Sequence, residues 1–210
     1  MYAGRIVAVA RNRAGRLAVM YRVSSRSFPN REAQVKSGAV AIVPKKGFES
    51  DVFKNPYIAY NCVRIAGATA VATNGSQTDP ITEKIAAGVP VRDAFVSAML
   101  ALDYEKDQYN TPRISSAVTR GTDAGFLGVV REDGIEVERF KLAAGECFFV
   151  STYETNRVST AQRGEFDAPD ARGGAQFILG QGVFAEMTNA VTSVCAFETA
   201  DGFELAVAQA

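Results

Sequence analysis

Histidine is absent from this 210-residue chain, and cysteine is scarce. Without histidine, no side chain has an ordinary pKa close to neutrality, and the commonest metal ligand is missing too. Any general base must then be a carboxylate, tyrosine, lysine or cysteine with a shifted pKa. The three cysteines, Cys62, Cys147 and Cys195, are far apart and odd in number. They make no CxxC pair and no zinc spacing, so neither a disulfide framework nor a cysteine metal site is expected. Net charge is also lacking, with 23 basic residues against 23 acidic ones. That balance removes any global attraction to nucleic acid or to an anionic membrane. No stretch is apolar enough to span a bilayer, and the first residues hold no apolar signal core, so the expected setting is cytoplasmic.

What is present is an ordinary globular composition, 47% hydrophobic and 22% charged. Such a chain buries a real core, and its length suits a single domain over residues 1–210. Charge is uneven locally. From Met1 to Arg31 there are seven arginines, no lysine and no acid, the first carboxylate being Glu32. Arginine grips phosphate and carboxylate through a planar fork, where lysine offers a point charge. The bias points to a small anionic ligand, and the plainer alternative is a solvated strand surface.

Apolar periodicity outlines the elements. Ile6–Ala10 and Leu17–Val23 flank a polar turn and read as an opening hairpin. Ala39–Pro44 is a further strand, and Tyr57–Ile65 with Ala70–Thr73 forms a second hairpin turning at Ala66-Gly67. Asp79 as N-cap before Pro80 starts a short helix that Gly88 stops. A longer helix from Val91 carries Val91, Phe95, Ala98, Met99 and Leu102 on one face and runs into Asp103-Tyr104-Glu105-Lys106. Strands return at Gly125–Val130, Ile135–Phe140 and Cys147–Tyr153. Ala168–Gly180 reads as helix, and Val191–Phe197 with Phe203–Val207 closes the chain as a hairpin. The pattern is mainly antiparallel hairpins with helices in blocks, which suits two packed sheets with helices outside.

Four stretches carry chemistry. Tyr21–Arg31 (YRVSSRSFPNR) packs three arginines and three serines into eleven residues with no acid among them. If the strand stays extended through Arg26, then Arg22, Ser24 and Arg26 share a face. The two arginines would stand about 13 Å apart, at opposite ends of a pocket, unless the chain turns at Ser24-Ser25; either way Pro29-Asn30 breaks the strand and turns Arg31 back toward the site. Asn55–Cys62 (NPYIAYNC) leads Tyr60 and Asn61 into a strand; a buried tyrosine with a satisfied hydroxyl is the ordinary alternative. Thr73–Ser76 (TNGS) is a turn before a helix, whose backbone N–H groups could receive an anion. Asp103–Asp107 (DYEKD), followed by Asn110–Ile114 (NTPRI), puts acid and phenol at a helix C-terminus. The dipole there disfavours a carboxylate, so Glu105 is either a base of raised pKa or a partner of Lys106 or Arg113.

Together these stretches resemble the archaeal-type IMP cyclohydrolases over essentially the whole chain, closely to about Arg120 and more loosely through Ser151–Glu154. The resemblance implies an α+β fold, a four-layer α-β-β-α sandwich of mainly antiparallel sheets like that of N-terminal-nucleophile hydrolases. Those hydrolases use a Thr, Ser or Cys exposed at a processed N-terminus, whereas this chain begins Met1-Tyr2. The implied reaction is dehydrative ring closure of 5-formamidoimidazole-4-carboxamide ribotide (FAICAR) to inosine monophosphate (IMP). It would place Arg22, Ser24, Arg26, Arg31, Asn74 and Arg113 around the nucleotide. Tyr60 and Asn61 would lie near the formyl or carboxamide group, and Glu105, with Tyr104 beside it, would assist proton transfer. The expected partner is the nucleotide alone, bound by a homo-oligomer without nucleic acid, membrane, metal or cofactor. A non-catalytic purine-nucleotide-binding module would keep the arginines without needing Tyr60, Asn61 and Glu105. The first prediction follows from the missing metal ligands: FAICAR turnover by purified protein is unchanged by chelator. Activity lost in EDTA and regained with a divalent metal would contradict it.

Overall fold

A computed structural model describes residues 1–210. Its strands are β1 (Ile6–Arg11), β2 (Leu17–Ser24), β3 (Arg31–Lys36), β4 (Ala39–Pro44), β5 (Tyr60–Ala66), β6 (Thr69–Thr73), β7 (Arg113–Thr119), β8 (Ala124–Arg131), β9 (Gly134–Lys141), β10 (Glu146–Ser151), β11 (Arg163–Glu165), β12 (Ala190–Glu198) and β13 (Phe203–Gln209). The helices are α1 (Asp51–Lys54), α2 (Thr78–Ala86), α3 (Val91–Leu102) and α4 (Ala171–Gly180). One sheet runs β11-β10-β1-β2-β12-β13 and the other β3-β4-β5-β6-β7-β8-β9. Pairings within both are antiparallel, as the hairpin signals required.

The period of two along β1 and β2 builds the layers. Val7, Val9, Leu17, Val19, Tyr21 and Val23 face the second sheet, where Val40, Ile42, Val63, Ile114 and Leu127 meet them. The intervening Ala8, Ala10, Ala18 and Met20 face outward, under Ala171, Ala175 and Ile178 of α4. These small side chains let the helix approach the sheet closely. On the outer face of the second sheet, Val71, Ala117 and Val130 pack against Ile81 of α2 and Phe95 and Met99 of α3. Both faces of the central strands are therefore covered, and β2 is buried at every position. Burying each such aliphatic side chain is worth about 1.5–3 kcal/mol. No helix is long and apolar enough to cross a membrane.

The structure departs from the sequence expectations at several edges. The strand expected from Tyr57 begins only at Tyr60, because Pro56–Ile58 forms a 3₁₀ turn capped by Asn55, whose side chain accepts from Tyr57 N at 2.8 Å. Asp79 is not the cap of α2: the helix starts at Thr78 after Gln77, and Asp79 accepts from Arg64 at 2.9 Å. The edge strand β3 has an exposed outer half and too little alternation to be read from sequence. Helix α3 stops at Leu102, and Asp103 turns the chain out of it with φ +56°. Glu105 is consequently not at the end of a helix; it bridges to Thr111 across a tight loop.

Strand β2 ends at Ser24, so Arg26 does not continue its face. Arg22 sits on the α4 side, opposite to Tyr21, and is fully buried. Its Nε donates to Ser24 Oγ at 2.9 Å, and its terminal nitrogens donate to the carbonyls of Met187 (2.6 Å), Phe184 (3.3 Å) and Thr188 (3.3 Å). Burial without a counter-charge lowers its pKa to about 10. The carbonyls of the α4–β12 connection thus converge on one cation. Replacing Arg22 with Met keeps most of the volume but leaves those oxygens unpaired, which predicts a loss of about 3 kcal/mol or more in chemical denaturation. A loss under about 1 kcal/mol would show that solvent satisfies them instead.

Candidate active site

A cavity of about 610 Å³ opens where the N-terminal segment, the loop after β2, the Lys54–Ile58 turn, the loop after α3 and Tyr153 converge. That volume suits a small ligand. Gly4, with φ +72°, lets the N-terminal segment run against the end of β10, because a Cβ there would collide with Thr152 Oγ1 and the Tyr153 ring. The chain is then pinned by Arg5 N donating to Thr152 Oγ1 (3.1 Å) and Thr152 N to Arg5 O (2.9 Å). This delivers Arg5 to the cavity.

Arg5 Nη2 donates to Glu105 Oε2 at 3.2 Å. Glu105 is almost wholly buried, and its second oxygen, Oε1, has no hydrogen-bond partner. Arg113 Nη1 lies 3.8 Å from that oxygen and donates to Gln77 Oε1 at 3.1 Å. Gly75 sits against this group, where a Cβ would fall 2.5 Å from Arg113 Nη1. Burial raises the Glu105 carboxyl to about 7, against the opposing pull of Arg5 and Arg113. Burial acts the other way on Arg5, but Glu105, Tyr60 and Tyr21 outweigh it and hold its pKa above the ordinary value.

The loop that presents Glu105 is braced from within. Asp107 accepts from Tyr109 N (3.1 Å), Thr111 N (3.0 Å) and Thr111 Oγ1 (2.8 Å), and Thr111 Oγ1 meets Tyr153 Oη at 2.8 Å. Arg31 differs from the other buried arginines. Only 3% of it is exposed; its Nε donates to Phe28 O at 3.0 Å, and no carboxylate pairs with it. Its terminal nitrogens have no protein acceptor, and burial lowers its pKa. Tyr60 stands in the field of Arg31 and Arg5, and its hydroxyl is 2.5 Å from that of Tyr21.

Of the residues singled out from sequence, Arg31 and Glu105 line the cavity, Tyr60 stands beside them, and Arg113 backs Glu105. Arg26 stacks over Tyr2 at the rim (3.9 Å), and Tyr104 lies under the Lys106 ammonium (3.4 Å). The others are elsewhere. Arg22 and Ser24 bond each other beneath α4. Asn61 donates to Asp79 at 3.0 Å in a separate surface depression, on the opposite strand face to Tyr60. Asn74 is internal, bonded to Pro112 O (2.9 Å) and Ile114 N (2.8 Å). Sequence reasoning missed Arg5, Tyr21, Tyr2 and Tyr153. Arg5 lay within the arginine-rich start and Tyr21 within the quoted motif, but no local signal ranked either above its neighbours.

A buried carboxyl of raised pKa, a buried cation without a counter-charge and adjacent phenols thus meet at one cavity, the pattern of an enzyme-type site. The comparisons agree in kind. A family model described as IMP cyclohydrolase-like protein matches residues 2–202. A relative named IMP cyclohydrolase from Methanosphaera stadtmanae is 48% identical over 94% of both chains. Another of that name, from Methanococcus maripaludis, is 41% identical over 98% of this chain and 99% of its own. One from Methanocella arvoryzae is 50% identical over 76% of this chain and 77% of its own. The chain belongs to the IMP cyclohydrolase-like family.

Glu105 also makes stability depend on pH. Its folded pKa of about 7 exceeds the ordinary 4.5. Between those values the folded chain holds a proton that the unfolded chain has released, so rising pH removes stability, by at most about 1.4 kcal/mol per pH unit. Below that window the group contributes nothing, and above it the full penalty persists. Denaturation curves recorded across the window should lose this slope in Glu105→Gln. Equal slopes in both proteins would show that Glu105 titrates normally.

Proposed function

We propose that this chain is an IMP cyclohydrolase, closing FAICAR to IMP with release of water. The observation that carries the reading is one cavity holding Arg31 without a counter-charge beside the Arg5–Glu105 pair. A small substrate with a phosphate and several carbonyl oxygens supplies the acceptors that Arg31 lacks.

In the reaction, the carboxamide nitrogen attacks the formyl carbon and the formyl oxygen becomes a hydroxyl. That hydroxyl then leaves as water while the former formamide nitrogen forms a C=N bond. The water carries the formyl oxygen and, in net terms, one hydrogen from each nitrogen. The nitrogen is a weak nucleophile, so holding the two substituents together supplies much of the rate. Arg31 and Arg5 stabilise the oxygen as it gains charge. Glu105, ionised above its raised pKa, accepts one nitrogen proton and Tyr60 donates one to the departing oxygen, while the other nitrogen proton passes to that oxygen through solvent. Lys54 and Lys106 at the mouth face the phosphate. Arg113 holds Glu105 from behind, and Arg26 and Tyr104 shape the rim. In the same reading the layers form a sandwich of the N-terminal-nucleophile hydrolase kind. The chain works as one domain over residues 1–210, in the cytoplasm and as a homo-oligomer.

Purified protein given FAICAR, without folate or ATP, should produce IMP. Arg31→Ala should weaken substrate binding by about 1.5–3 kcal/mol, the usual worth of a charge-assisted contact. Glu105→Gln should lower turnover by about 10²–10⁴-fold with little change in affinity, since the amide keeps size but accepts no proton. Normal kinetics in both variants, with melting temperatures near that of the parent, would remove this cavity from the chemistry.

A further inference from the structure

Tyr21 is fully buried in the inter-sheet core, and the hydroxyl of Tyr60 is the only partner of its own, at 2.5 Å. Either oxygen could in principle be the donor, but their surroundings differ. If Tyr60 donated, the Tyr21 O–H would be a buried donor with nothing to bond, a state native interiors avoid. Tyr60 is only partly buried, so solvent can accept its proton, while the neighbouring Arg31 and Arg5 are donors only and favour its oxygen as the acceptor. Satisfaction of the buried group therefore sets the direction of the bond.

We propose that Tyr21 is a positioning residue that donates its hydroxyl proton to Tyr60 Oη and so leaves the Tyr60 O–H free to point only at the substrate. This role rests on Tyr60 acting as the proton donor in ring closure. When Tyr60 gives its proton to the departing oxygen, the C–O bond breaks and water leaves. The resulting phenolate is met by the Tyr21 O–H, Arg31 and Arg5, already in place. The nitrogen proton collected by Glu105 returns to Tyr60 through solvent, which restores both groups. The charged and titratable groups around the Tyr60 hydroxyl come from every neighbouring element: Tyr21 from β2, Arg31 from β3, Cys62 from β5 and Arg5 from the N-terminal segment. The arginines act on the phenolate through their charge, and the Tyr21 O–H is the hydrogen-bond donor to it.

Tyr21→Phe removes only the hydroxyl and keeps the ring packed between the sheets. The expected result is a fall in kcat of about tenfold or more with KM within about twofold, as for loss of an orienting hydrogen bond at a proton-transfer group. Tyr21→Phe/Tyr60→Phe should be no slower than Tyr60→Phe alone, because Tyr21 acts only through Tyr60. Independently of any substrate, the pH at which the Tyr60 ring carbon signal titrates by NMR should rise in Tyr21→Phe, since the phenolate has lost a donor. Losses that multiply in the double variant, wild-type kcat in Tyr21→Phe, or an unmoved Tyr60 titration would each overturn the inference. Failure of the underlying reading looks different: Tyr60→Phe itself turns over normally, or the parent protein does not act on FAICAR, while the titration still reports on the bond.

Discussion

The ion pair between Arg5 and Glu105 joins the two halves of the molecule at the cavity. Arg5 leads into the central strand of one sheet, whereas Glu105 follows the helix packed on the other. A glutamate this deep would be neutral without a cation beside it, and an arginine this deep would lack an acceptor. Each makes the other tolerable. The pair fixes one carboxyl oxygen and leaves the other, buried 3.8 Å from Arg113 Nη1, without a hydrogen bond. Gly4 and Gly75 permit this geometry, because a side chain at either would displace a member of the cluster. The Asp107–Thr111–Tyr153 chain then ties the Glu105 loop to the segment that Arg5 grips.

Two buried arginines of one short motif illustrate how similar residues separate by surroundings. Arg22 directs its donors to carbonyls and a hydroxyl, and these bonds close the layer beneath α4. Arg31 bonds a single carbonyl through Nε and leaves the rest of its guanidinium free. A buried cation in the first state is structural, because its bonding capacity is met. In the second state it awaits an acceptor, and the proposed substrate brings one. Exposure alone would not tell them apart, since both are buried.

Much of the fold was legible because hairpin and helix signals are local. The β1–β2, β8–β9 and β12–β13 hairpins and helices α3 and α4 lie where apolar period and turn residues indicated. The misses have physical causes. Asn55-Pro56 formed a capped turn in place of the first strand residues, and Asp79 found Arg64 in place of a capping role. Around the cavity, the motifs pointed to the segments that meet there more often than to the side chains that line it. Arg31, Glu105 and Tyr60 could be reached from the chemistry of a reaction without histidine. Arg22 and Asn61 could not be separated from Tyr21 and Tyr60, because β2 is apolar on both faces and alternation names no inward side by itself. Glu105 owes its raised pKa to burial, a long-range property, whereas the sequence suggested a helix dipole.

Ring closure in the cavity bounded by Arg5, Arg31 and Glu105 is the central claim, and a crystal structure of the chain with IMP tests it most directly. The purine base is expected in that cavity, with its six-membered ring against Arg31, Arg5 and Glu105 and its phosphate toward Lys54 at the mouth. A nucleotide seated instead in the depression formed by Asn61, Arg64 and Asp79, with the cavity left to solvent, would contradict it.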